Sequence, residues 1–299
     1  MIVTVTRWLL PAHLATQALF VLVLWFIPPG GWGHAIWQTL GGLGSAAFLG
    51  LGVRHFRPEG ARAWRFMGAG LFLSALGNAV ELIAFRCCDV TTNPNAADAF
   101  WLTLHLGLLV ALGLFVHRQA AAEELGTNTL LTIGCVLLNL FVGVFAWQGV
   151  VWRPSSDQTL TLANRFIVTL YPLADLMLVG LCLRLLLGGL FRNGSVLLIS
   201  AALVLFGAVD LGWSDFLRGA ELPDRVTEYI MEATSLLARA LLAAAALVPG
   251  ARTVAAPADG RRPGLGALGW LGLLASGLTA PLVLLLQALL DRLYSVTSF

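Results

Sequence analysis

NRFIVTLYPLADLMLVGLCLRLLL, residues 164–187, is an apolar run with one carboxylate, Asp175, near its middle. About 20 apolar residues in a helix cover the ~30 Å hydrocarbon core of a bilayer. A carboxylate at that depth costs roughly 2.5–3.5 kcal/mol on insertion scales and is found facing a protein interior or a water-filled space. The run therefore reads as a membrane helix whose Tyr171–Asp175 face turns away from lipid.

The rest of the chain repeats this reading. Its 299 residues are 58% hydrophobic and 11% charged, with mean hydropathy +0.84, where a soluble domain carries about 25% charged residues. Apolar runs over 8–27, 34–53, 66–86, 97–117, 128–148, 161–187, 195–213, 225–248 and 265–289 predict about nine spans. With no alternating pattern in any run, the expected class is an all-α polytopic transmembrane helix bundle, because only helices satisfy every backbone polar group in lipid. The divisions are an eight-span unit over 1–248, a cytoplasmic linker over 249–264 rich in Gly, Pro and Arg, and a ninth span with its tail over 265–299. The N-terminal run lacks a small-x-small cleavage site and reads as an uncleaved first span. With the N-terminus in the cytoplasm, Arg7, Arg54, Arg57, Arg62, Arg65, Arg118, Arg184, Arg192, Arg252, Arg261 and Arg262 fall inside. They outnumber the arginines on the other side, as expected for cytoplasmic segments of an inner-membrane protein.

Composition also excludes. All 18 basic residues are Arg, so no lysine is present for a Schiff base or a P-loop. A net charge of +2 without a basic, aromatic-laced patch gives no footprint for nucleic acid. Cys87, Cys88, Cys135 and Cys182 show no CxxC spacing and read as unpaired. No HExxH or two-histidine i, i+4 pair is present, so neither a metal site nor a catalytic residue is assigned and the chain is not read as an enzyme. No cofactor is named.

Two halves of the eight-span unit match at an offset of 130: Thr39, Leu40, Leu43, Gly50, Leu51 and Arg54 with Thr169, Leu170, Leu173, Gly180, Leu181 and Arg184. One residue of slippage later, Glu81 falls opposite Asp210, and Asp98 opposite Glu228. The expected repeats are 1–120 and 121–248.

The polar residues form helical stripes. They are Ser74, Asn78 and Glu81; Asp98, Trp101 and His105; Tyr171 and Asp175; Asp210 and Trp213; and Glu228, Glu232, Ser235 and Arg239. Pointed inward together, they would line one polar pocket open to the outside and able to bind a small molecule or an ion. Plainer roles compete. Asp98 and Glu228 sit where helix-start caps belong, His105 serves as a packing residue, and Arg239 forms a salt bridge with Glu232 or Asp175. The small residues Gly41, Gly42, Gly44 and Ser45 read as a close-packing face, and most tryptophans as an interfacial belt.

At these residues the chain resembles the N-terminal multi-span input domain that precedes GGDEF and EAL catalytic domains in bacterial cyclic-di-GMP signalling proteins. The matching features are Trp64-Arg65, Gly77-Asn78, Pro94 to Asp98 followed by Phe100 and Trp101, Tyr171 to Asp175, Asp210, and Ala280-Pro281-Leu282-Val283. Asn78 stands where such domains often carry a carboxylate. The resemblance implies a sensory domain coupled to a cyclase or phosphodiesterase output, which this chain lacks, and a homodimer formed through that output. The alternative is a small-solute or ion transporter built from two parallel four-helix repeats, since paired repeats with buried charge at their interface are a transporter plan.

Overall fold

The computed structural model describes residues 2–29, 31–88, 95–120, 162–186, 190–217 and 225–255. These residues form seven helices: α1 (Ile2–Leu24), α2 (Trp32–Phe56), α3 (Ala61–Cys87), α4 (Ala96–Ala120), α5 (Leu162–Leu185), α6 (Gly194–Leu217) and α7 (Arg225–Leu247). A short 3-10 turn, Pro249–Arg252, follows. The spans expected at 128–148 and 265–289 lie outside the described residues. Among the described residues α2, α3, α4 and α7 are long and apolar enough to cross a membrane, which is compatible with a membrane location, while α1 and α6 carry shorter apolar stretches.

Local chemistry starts and stops the helices. Asn95 caps α4: its Oδ1 accepts the Ala97 amide at 2.8 Å, and Asp98 reaches back to the Asn95 amide at 2.9 Å, a reciprocal capping box. Asn193 caps α6 through the Ser195 amide at 2.9 Å. Arg57 ends α2 in the left-handed region at φ 44°, ψ 56°, its amide bonded to the Val53 carbonyl.

Helices α2, α3, α4, α5, α6 and α7 pack in that order into a closed ring, α7 returning to α2, and α1 lies over the α2–α7 seam. Small residues set the closest approaches. A Cβ on Gly70 would stand 2.8 Å from the Thr103 carbonyl, and one on Gly107 2.7 Å from the Phe66 carbonyl. The α3 and α4 backbones therefore touch, which apolar helices without a hydrophobic drive between them achieve through glycine. Gly52 likewise admits the Ala246 carbonyl of α7, and Gly42 sits against Ala75 of α3. The ring interior is filled by Trp64 and Phe115, edge-to-face at 5.3 Å, with Leu49, Met67, Leu71, Leu108 and Leu242. Outward positions are also apolar: Leu14, Leu22, Ile36, Phe66, Leu106, Val204 and Leu237 are exposed. So many exposed apolar side chains are foreign to a surface that faces water.

The bundle has two chemically distinct ends. One collects Arg54, Arg57, Arg62, Arg65, Arg118, Arg192 and Arg252 at the ends and turns of α2 through α7. The other holds Glu81, Asp98, Glu228 and Glu232, with exposed Trp25 and Trp32 near it. Trp8 on α1 and Trp25 just past its last residue are 17 residues apart, about 26 Å at the helical rise, close to the thickness of a hydrocarbon core.

The first residues of the stretch read as a linker make defined contacts. Ala251, Val254 and Ala255 are buried, Gln119 Nε2 donates to the Val254 carbonyl at 3.0 Å, and Asn193 Nδ2 donates to the Gly250 carbonyl at 3.1 Å. Residues 249–255 are thus docked on the bundle, because their apolar side chains and free carbonyls find partners there that Gly/Pro content does not reveal.

Candidate functional site

Three helices bring one histidine and two aspartates together. His105 lies on α4, about 14 Å in from the helix start at 1.5 Å per residue. Its Nε2 is 3.0 Å from Asp210 Oδ2 on α6 and 3.3 Å from Asp175 Oδ1 on α5. Each residue offers one ligand atom, and all three atoms lie within 4.8 Å of one another. His105 is buried and both aspartates are largely covered.

The site extends one to two helical turns toward the acid-rich end. Asp98 precedes His105 by seven residues and Tyr171 precedes Asp175 by four, so both pairs share a helix face. Tyr171 donates to Asp98 Oδ1 at 3.3 Å, and its ring meets that of His105 edge-on at 5.3 Å. Asp98 thereby caps its own helix and ties α4 to α5. Trp101 Nε1 donates to Asn78 Oδ1 at 3.1 Å, linking α4 to α3. Trp213 lies on α6, three residues beyond Asp210.

A second polar cluster forms across the ring where α1, α2 and α7 meet. His34 Nε2 and Glu232 Oε2 pair at 2.6 Å. Tyr229 donates to the Ile27 carbonyl at 2.7 Å, and its ring stacks on Trp25 at 5.4 Å. Glu228 lies one turn before Glu232, within electrostatic reach of His34. Glu81 is exposed on α3 and within electrostatic reach of Asp98, Glu228 and Glu232. The carboxylates thus share one end of the bundle, but Asp98 and Glu232 belong to two separate hydrogen-bonded clusters and not to the single set expected. Tyr229→Phe is expected to cost about 1 kcal/mol, the value of one buried hydrogen bond, read as a lower melting temperature in detergent with the helix content unchanged.

Arg239 corrects an expectation. It pairs with neither Glu232 nor Asp175: Glu232 is engaged by His34, and Arg239 is buried deeper on α7 with Nε and Nη1 unbonded among the described residues. Its Nη1 lies beside Gly42, at ordinary contact distance from where a Cβ would be, and Asp210 is within its electrostatic reach.

His34 and Tyr229 were not singled out from sequence. The signal for His34 was available, because His34, Gln38, Gly41, Ser45 and Gly52 recur on one buried face of α2. Cys87, Cys88 and Cys182 are free thiols, and Cys135 lies outside the described residues.

The His105 cluster can hold a cation. One imidazole and two carboxylates are ligands that divalent transition ions accept, and three ligands leave positions open for water or a further group. His105 Nδ1 is buried without a partner among the described residues. A cation bound at Nε2 would take the place of the hydrogen that this nitrogen offers Asp175 and Asp210, and would leave the ring proton on Nδ1. Comparison with protein-family models, with curated proteins and with solved structures finds no match to this chain.

Proposed function

We propose that this chain is a membrane-embedded sensory domain that binds a divalent cation at His105, Asp175 and Asp210. The observation that carries the reading is the convergence of these side chains from three helices, at a depth where unpaired carboxylates are costly. Two aspartates beside one histidine leave excess negative charge, which a cation neutralises by drawing α5 and α6 onto α4. Those helices run on to the arginine-rich end, where the α5–α6 turn is bonded through Asn193 to the docked segment 249–255. Occupancy would be passed to that segment, and onward to an output of the diguanylate cyclase or phosphodiesterase type. In this reading the arginine-rich end is cytoplasmic, the membrane is a bacterial inner membrane, and the chain has about nine spans.

The same reading takes the eight-span unit as two parallel repeats. The motive is the sequence match at an offset of about 130, which sets Glu81 opposite Asp210 and Asp98 opposite Glu228. That match also favours the second reading, a transporter. The two separate in reconstituted liposomes. The sensory domain is expected to gain thermal stability on adding Mn2+ or Zn2+ and to move neither ion across the bilayer. The gain should disappear in Asp175→Asn/Asp210→Ala. Ion flux carried by this chain alone would establish the transporter, and an undiminished gain in the double variant would remove the site from either reading.

A further inference from the structure

At the arginine-rich end, a cavity of about 640 Å3 opens between the last turns of α2 and the first turns of α3. Three of its lining residues are Arg54, Arg57 and Arg65, and no lining residue is acidic. Among the described residues none of the three guanidiniums pairs with a carboxylate. The one nearby acid in the connecting turn is Glu59, which is exposed and whose backbone carbonyl accepts Arg118. The deeper wall is apolar, formed by Ala46, Leu49 and Gly68. Trp64, also in the wall, is fully buried with its indole N–H unbonded among the described residues.

The backbone carries a second, independent sign. Arg57 is the non-glycine residue held at positive φ, at the position that ends α2. Glycine is the usual occupant there, since a Cβ is strained in that region. Strain of this kind persists where a side chain has a task. Holding Arg57 at this point adds its charge to the rim formed by Arg54 and Arg65.

We propose that this cavity binds an anionic phospholipid, its phosphate held by Arg54, Arg57 and Arg65 and its upper acyl segment lying against Ala46, Leu49 and Gly68. Basic pockets between membrane helices suit such headgroups, and the volume falls within the ~300–1,000 Å3 range of ligand sites. An apolar floor beneath a cationic rim fits an amphiphile better than a free phosphate. The site is remote from the His105 cluster and does not depend on its role.

Native mass spectrometry of the full chain, released from nanodiscs containing phosphatidylglycerol and phosphatidylcholine, tests this. The wild type should retain phosphatidylglycerol selectively, and each arginine removed should reduce retention by about fivefold. Arg57→Gly is the informative single variant: it should raise the melting temperature in phosphatidylcholine alone while losing phosphatidylglycerol. Gly50→Leu should also displace lipid without harming the fold, because a Cβ at Gly50 meets nothing within 4 Å. Inorganic phosphate at millimolar concentration should not compete. Equal retention in the arginine variants would overturn the proposal. So would competition by phosphate, or a cross-link from a photoreactive residue at position 50 to segment 121–161 or 256–299 in place of lipid.

Discussion

His105→Phe is expected to destabilise the bundle by about 3–5 kcal/mol, the range seen when one member of a buried charged group is removed and its partners are stranded. Asp175 and Asp210 lie 3.3 and 3.0 Å from Nε2, and Phe offers them no hydrogen. Two carboxylates would then face each other inside the ring. The loss should be read from chemical or thermal unfolding in detergent. It should be largely recovered when Asp175→Asn and Asp210→Asn are added, because neutral amides remove the repulsion that His105 offsets. Recovery distinguishes a charge cluster from simple packing: if His105 only filled space, the added amides would leave the defect in place.

Gly107→Leu is expected to be at least as damaging, by about 3 kcal/mol or more, because overpacking here meets backbone and not a movable side chain. The Cβ alone would stand 2.7 Å from the Phe66 carbonyl and 3.1 Å from the Gly70 Cα. Helices α3 and α4 would have to separate, pulling Trp101 away from Asn78. Gly113→Leu on the same helix is the control, since a Cβ there meets nothing within 4 Å. The pair should differ by about 6–12 °C or more in melting temperature if the α3–α4 contact is what holds this side of the ring, given that 1 kcal/mol shifts the midpoint by roughly 2–4 °C in a chain of this size. Similar melting temperatures for the two variants would show that the close approach contributes little.

Much of the site is legible in the chain because helical periodicity is strict. The spacing of Asp98, Trp101 and His105, and of Tyr171 and Asp175, places each set on one face, and the structure joins those two faces through Tyr171–Asp98 and His105–Asp175. Asp98 also shows why a plain role and a sharper one need not exclude each other. One carboxylate oxygen caps α4 and the other accepts Tyr171. Partner choice across helices was not legible. Glu232 and Arg239 lie on the same stripe of α7, yet Glu232 meets His34 on α2 while Arg239 turns toward the ring interior. Periodicity reports which residues share a face, and only the packing order of the helices decides what that face meets. The same limit hid the metal-type geometry: ligand spacing within one helix is visible in sequence, whereas three single ligands from α4, α5 and α6 are not.

The repeat shows a similar division. Glu81 and Asp210, matched by offset, occupy corresponding helices of the ring, but Asp210 meets a histidine and Glu81 is exposed. Asp175 is matched by Ser45, which is buried on α2. Whatever ancestry the two halves have, the charged cluster is built across them, His105 from the first and Asp175 and Asp210 from the second.

The most direct test of the account is the binding of Zn2+ to the purified full chain, by titration calorimetry in detergent with elemental analysis after exhaustive dialysis. The account predicts saturable binding at a single site in the wild type and its loss in Asp175→Asn/Asp210→Asn, with the fold retained. No saturable binding in the wild type, or equal binding in the double variant, would contradict it.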